Sequence, residues 1–117
     1  MLARTAIQPN SSYTRDRVDQ ADKDGHWHVI YRIGVRGDLE TAKYAVDKAL
    51  ERGKKDTAEA IAKFGPLEVG KHVAERALEK GMRDVMENLI KFGKPEIAEY
   101  AEKRLREYDF SAGKREG

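Results

Sequence analysis

Two histidines flank the single tryptophan in Gly25-His26-Trp27-His28. Their imidazoles would suit a zinc ion if a third donor, Asp24 or Asp22, converged with them. On a helix, residues two apart point about 200° apart, so such a site needs an extended loop. The simpler assignment is that Trp27 packs against the preceding helix, and no metal or cofactor is expected. A second group of side chains recurs at a fixed interval. Tyr44, His72 and Tyr100 occupy one repeat position, flanked by Glu40, Glu68 and Glu96, by Glu51, Glu79 and Glu107, and by Lys48, Arg76 and Arg104. On a helical wheel these lie opposite the apolar face, so neighbouring helices would set them about 10 Å apart as an exposed aromatic ladder able to grip a protein. The same acids and bases three or four residues apart also suit solvated helix pairs. A third group is basic: Lys54, Lys55, Arg83, Lys91 and Lys94 gather near loops and would contact phosphates if they converged on one side.

The elements that position these residues follow from an internal repeat. Glycine stands at 25, 37, 53, 65, 81 and 93, and residues 37–53 laid over 65–81 match at eight of seventeen positions. Ile33, Ile61 and Leu89 share a column, and Lys63-Phe64-Gly65 returns as Lys91-Phe92-Gly93. Three units emerge, 25–52, 53–80 and 81–108. Each reads as two helices, about ten and about fifteen residues long, closed by glycine in left-handed conformation. Asp56 with Glu59 and Asp84 with Glu87 have capping-box spacing at the helix starts. The second helices carry an apolar stripe, Leu39, Ala42, Val46, Ala49 and Leu50, repeated as Leu67, Gly70, Ala74, Ala77 and Leu78. In the third unit two of those columns become Glu102 and Arg106, as expected where nothing stacks beyond. Residues 12–24 read as a capping helix at the other end, and 1–11 and 109–117 as flexible tails.

Composition narrows the function. The chain has 117 residues, 39% apolar and 38% charged, with a net charge of +2. That suits one domain with a real core and gives no strong field for polyanions. There is no cysteine, which removes disulfide and thiolate chemistry. No stretch is apolar enough for a signal peptide or a membrane span, so a cytoplasmic protein without membrane contact is expected. Abundant Lys, Arg and Glu with few side-chain amides follow the thermophile trend. Phosphate-cradling loops, nucleophile elbows and paired-histidine helix motifs are missing, and the reading is noncatalytic.

The Gly-x-Leu-Glu entries Gly37-Asp38-Leu39-Glu40 and Gly65-Pro66-Leu67-Glu68 resemble the turn between paired helices in ankyrin repeats, without room for the ankyrin finger loop. The resemblance spans residues 25–108 and implies an α-solenoid that presents an extended surface to partners. The expected fold is therefore all-α: a capping helix and three stacked helix-turn-helix repeats, in a small right-handed solenoid or a compact bundle. The expected role is a protein-protein interaction module using Tyr44, His72, Tyr100, Glu40, Glu68, Lys48, Arg76 and Arg104. The alternative is a nucleic-acid-associated protein using Lys54, Lys55, Arg83, Lys91 and Lys94. A homodimer is a third arrangement open to a short array with two exposed ends.

Overall fold

The computed structural model describes residues 13–116, so the expected tail at 1–11 lies outside the described residues. Those residues form seven helices and no strand: α1 Arg15–Asp24, α2 Trp27–Arg36, α3 Leu39–Glu51, α4 Lys55–Phe64, α5 Leu67–Glu79, α6 Arg83–Phe92 and α7 Pro95–Glu116. Helices α2, α4 and α6 pack in one row and α1, α3, α5 and α7 in another, with each helix of the first row also against the one that follows it in sequence. The body is elongated, with principal extents of 67 × 27 × 21 Å.

Helices of 10 to 13 residues are marginal alone in water, and burial between the rows supplies what they lack. Ile33, Ile61 and Leu89 are all buried, as the repeat implies. So are Ala42, Ala45, Ala49, Ala58, Ala62, Ala74, Ala77 and Ala101. With alanine or glycine at so many contacts, helix axes come close, and single large residues fill the notches. A Cβ on Gly34 would stand 2.5 Å from Ile61 Cδ1, and one on Gly70 would stand 2.7 Å from Ile97 Cδ1. Leu39 and Leu67 depart from the expected buried stripe. Each is the first residue of its helix, at the rim of the row, and they are 42% and 38% exposed.

The periodic glycines are of two kinds. Gly25, Gly53 and Gly81 have φ near 72° and close the second-row helices. Around Gly53, its N–H bonds Leu50 O at 3.1 Å and the N–H of Lys54 bonds Ala49 O at 2.8 Å, the paired bonds of a Schellman turn. Gly37, Gly65 and Gly93 are extended instead. They are glycine because a side chain would strike the carbonyl four residues back, 2.5 Å from Leu89 O in the case of Gly93.

The tight Schellman closures also move the helix starts. Lys54 and Met82 are the N-caps and make no side-chain capping bond. Asp56 and Asp84 therefore lie one residue inside their helices, and the expected capping boxes do not form. Each carboxylate accepts instead from the next residue's N–H, Thr57 or Val85, at 3.0 Å. At the other end, the column of Gly25, Gly53 and Gly81 continues as Asp109. Without a left-handed glycine nothing stops the helix, and residues 109–116, expected as a tail, continue α7 to Glu116.

Ile61→Ala removes the side chain that fills the notch at Gly34 and is expected to lower unfolding free energy by about 3 kcal/mol. Gly81→Ala, forced into left-handed conformation, should cost about 1 kcal/mol. Urea denaturation followed by far-ultraviolet circular dichroism measures both.

Candidate functional site

Tyr44, His72 and Tyr100 do form a column, but not a free one. Each is half-buried and reaches back to the preceding helix of its row. Tyr44 Oη donates to Asp19 Oδ1 at 2.5 Å, His72 Nε2 lies 2.8 Å from Asp47 Oδ1, and Tyr100 Oη donates to Glu75 Oε2 at 2.6 Å. The sequence separation is 25 residues each time. The basic column converges on the same acids. Lys48 Nζ is 3.7 Å from Asp19, Arg76 Nε donates to Asp47 at 3.0 Å, and Arg104 donates to both carboxylate oxygens of Glu75. Arg76 and Arg104 also hold Glu79 and Glu107 three residues on, at 2.6 and 2.8 Å. The strip expected to face a partner is thus a set of three rungs joining α1 to α3, α3 to α5 and α5 to α7. The angle on a helical wheel placed it away from the core; it did not say that the adjacent helix brings a carboxylate. The acid column Asp19, Asp47 and Glu75 carries that information, and its next position is Lys103.

Electrostatics follow the geometry. Burial pulls Asp47 toward its neutral form, but the hydrogen bond and charge of His72, with Arg76 beside it, outweigh this and hold its carboxyl below the ordinary value. The hydrogen bond from Arg104 holds Glu75 low against burial, with Tyr100 adding to it. In return Arg104 is pushed up by its bonds to Glu75 and Glu107. The Tyr44 hydroxyl is raised by its bond to Asp19, then by burial, and the Tyr100 hydroxyl by burial, then by its bond to Glu75. Each of these groups makes a hydrogen bond between helices of this chain that contributes to its shift.

Most of the basic residues weighed for phosphate contact are engaged in the same way. Lys55 Nζ holds Asp84 at 2.8 Å, Arg83 holds Asp109 at 2.6 Å, Lys94 donates to the carbonyl of Gly65, and Lys54 stands 5.5 Å over the Trp27 ring. They join different helices of the chain rather than converge on one face. His26 and His28 are exposed with ring centroids 5.7 Å apart. Their proposed third ligands are turned elsewhere: Arg52 clamps both oxygens of Asp22 at 2.9 Å and Gln20 donates to Asp24 at 3.0 Å. Among the described residues no group of three or more His, Cys, Asp or Glu is placed to hold a metal ion. Trp27 packs both against the buried group of Val18, Ala21, Ile30, Ile33 and Ala45 and against the larger buried group that includes Val46, Leu50 and Ile61, which gives the opening motif a structural role.

Apart from Tyr108 and Phe110 on α7, the large apolar side chains exposed among the described residues lie along the edge where first-row helices end and second-row helices begin. Phe64 is 60% exposed and Phe92 66%, each the last residue of its helix and 28 positions apart, and Leu39 and Leu67, the first residues of α3 and α5, are exposed as well. A groove of about 240 Å³ runs between α4 and α6, lined by Phe64, Phe92, Lys63, Glu59 and Asn88 among others. The recurring Lys-Phe-Gly was visible in sequence, but periodicity alone does not tell an exposed phenylalanine from a buried one. No family model matches the chain, and no curated protein or solved structure matches it. Among the described residues no helix is long and apolar enough to cross a membrane.

Asp47 and Glu75 both have folded pKa values below their unfolded ones, so the stability they contribute is complete above about pH 4.3 and is lost as pH falls through the folded values. Urea midpoints measured from neutral pH down to pH ~2 should fall below about pH 4. Asp47→Asn with Glu75→Gln should lower the neutral-pH midpoint and flatten that acid slope.

Proposed function

We propose that the chain is a short α-solenoid of three helical hairpins, with α1 closing its N-terminal end, and that it acts as a noncatalytic protein-interaction module. The contact surface is the edge bearing Phe64 and Phe92. The stacked arrangement is supported by the three rungs, each of which sets a tyrosine or histidine against a carboxylate at the same separation. Support for α1 as a cap comes from Asp19, which receives Tyr44 as Asp47 receives His72 and Glu75 receives Tyr100.

One observation carries the functional reading: two phenylalanines at equivalent positions of adjacent units remain mostly exposed while a groove runs between their helices. Aromatic side chains in such a setting give large contact area at small entropic cost, and they are common anchors of protein interfaces. The outer face of α7 is less suited to the task. On α7 the columns that are Val46 and Ala74, and Leu50 and Leu78, become Glu102 and Arg106. These two pair with each other at 3.6 Å while well exposed. The nucleic-acid reading loses support because Lys55, Arg83 and Lys94 are already held by this chain's own acceptors.

Crosslinked affinity capture from source-cell extract, with and without nuclease, tests this reading. Wild-type protein should retain a protein partner after nuclease treatment, and Phe64→Ser with Phe92→Ser should lower retention about tenfold or more at unchanged helicity. Tyr44→Phe with Tyr100→Phe should retain it. Loss of capture on nuclease treatment would favour phosphate binding, and capture indifferent to the phenylalanines would remove the edge from consideration.

A further inference from the structure

The edge has a charge pattern that bears on what covers it. Across the three units the link from first to second helix reads Val35-Arg36-Gly37-Asp38-Leu39-Glu40, Lys63-Phe64-Gly65-Pro66-Leu67-Glu68 and Lys91-Phe92-Gly93-Lys94-Pro95-Glu96. In these three links a cation, Arg36, Lys63 or Lys91, stands in the last turn of the first-row helix, and a glutamate, Glu40, Glu68 or Glu96, stands in the first turn of the second-row helix. Apart from Lys94, whose ammonium is held by the Gly65 carbonyl, the two signs therefore lie on opposite sides of a line that follows the stack through Gly37, Gly65 and Gly93. The apolar residues divide likewise, with Phe64 and Phe92 on the cationic side and Leu39 and Leu67 on the anionic side. All six charges are exposed. Lys48, Arg76 and Arg104 are consumed in the rungs, whereas among the described residues Arg36, Lys63, Lys91, Glu40, Glu68 and Glu96 enter no ion pair. Lys63 only overhangs the Phe64 ring, at 5.6 Å.

A surface with one sign on each side of an apolar strip complements itself under one two-fold operation. Rotation about an axis along the stack, lying in the contact plane, exchanges the sides: Lys63 and Lys91 of one copy meet Glu68 and Glu96 of the other, and Phe64 comes over Leu67. An axis across the stack brings like charges together instead, which is repulsive. Building on the reading of this edge as a contact surface, we propose that it pairs with a second copy of the same chain. The result is an isologous dimer in which two arrays run side by side in the same direction. The anchors are few, so the dimer belongs to the weak, small-interface class.

Sedimentation equilibrium of the full chain tests this at loadings up to about 1 mM, high enough to populate weak association. The expected mass approaches twice the 13.3 kDa of the chain. Lys63→Glu with Lys91→Glu, and separately Glu68→Lys with Glu96→Lys, should each weaken association about tenfold or more. All four exchanges in one chain invert the pattern and should restore it. A monomeric wild type, or a dimer indifferent to the paired charge reversals, overturns the proposal. If a monomeric wild type still captures another protein through Phe64 and Phe92, the homotypic pairing fails while the contact edge stands. If the phenylalanine variant alters neither association nor capture, the edge itself fails. Circular dichroism of each variant guards against loss of fold.

Discussion

Close lateral contact between neighbouring helices is the constraint from which the other features of this protein descend. No helix in the two rows up to α6 exceeds 13 residues, and none of that length would persist in water alone. Each persists because small residues let the next helix come near enough for one large side chain to fill the remaining space, as Ile61 does at Gly34 and Ile97 at Gly70. This spacing also brings Asp19, Asp47 and Glu75 within reach of the hydroxyl, imidazole and cationic groups of the following helix. An array held further apart by leucines would have kept its apolar contacts and lost its rungs.

The rungs add orientation more than bulk stability. Half-exposed ion pairs contribute little on their own, but removing one member of a partly buried set leaves the other desolvated and unmatched. Every rung places donors on the later helix and the carboxylate on the earlier one. A helix slipped by one turn would lose both its Tyr or His bond and its Lys or Arg bond at once. The many alanines of the apolar stripes discriminate poorly among such slips, so polar matching adds to the register that the notches at Gly34 and Gly70 impose.

Much of this was legible in the residues and some was not, for physical reasons. The glycine intervals and the Ile33, Ile61 and Leu89 column mark units and core because burial leaves periodic traces. The two roles of glycine leave the same letter: Gly81 has φ of 71°, whereas Gly93 is extended and merely lacks room for a Cβ. Tyr44, His72 and Tyr100 were read as outward because a helical wheel describes one helix, and their partners belong to another. Asp109 stands where the repeat would put a fourth stop glycine, and the longer α7 follows from that one residue. Phe64 and Phe92 were visible as a repeated motif, but their exposure depends on lying at the rim of a row, which only three dimensions reveal.

The rungs and cross-links described above join residues 25 to 30 positions apart. The chain entropy lost on closing a loop depends only on its length, and weakly, so each junction closes at nearly the same cost. No part of the molecule must wait for a distant segment to arrive, and the low contact order belongs to chains that fold quickly. Such a chain acquires its shape in steps of similar difficulty, each offering the next helix a ready surface.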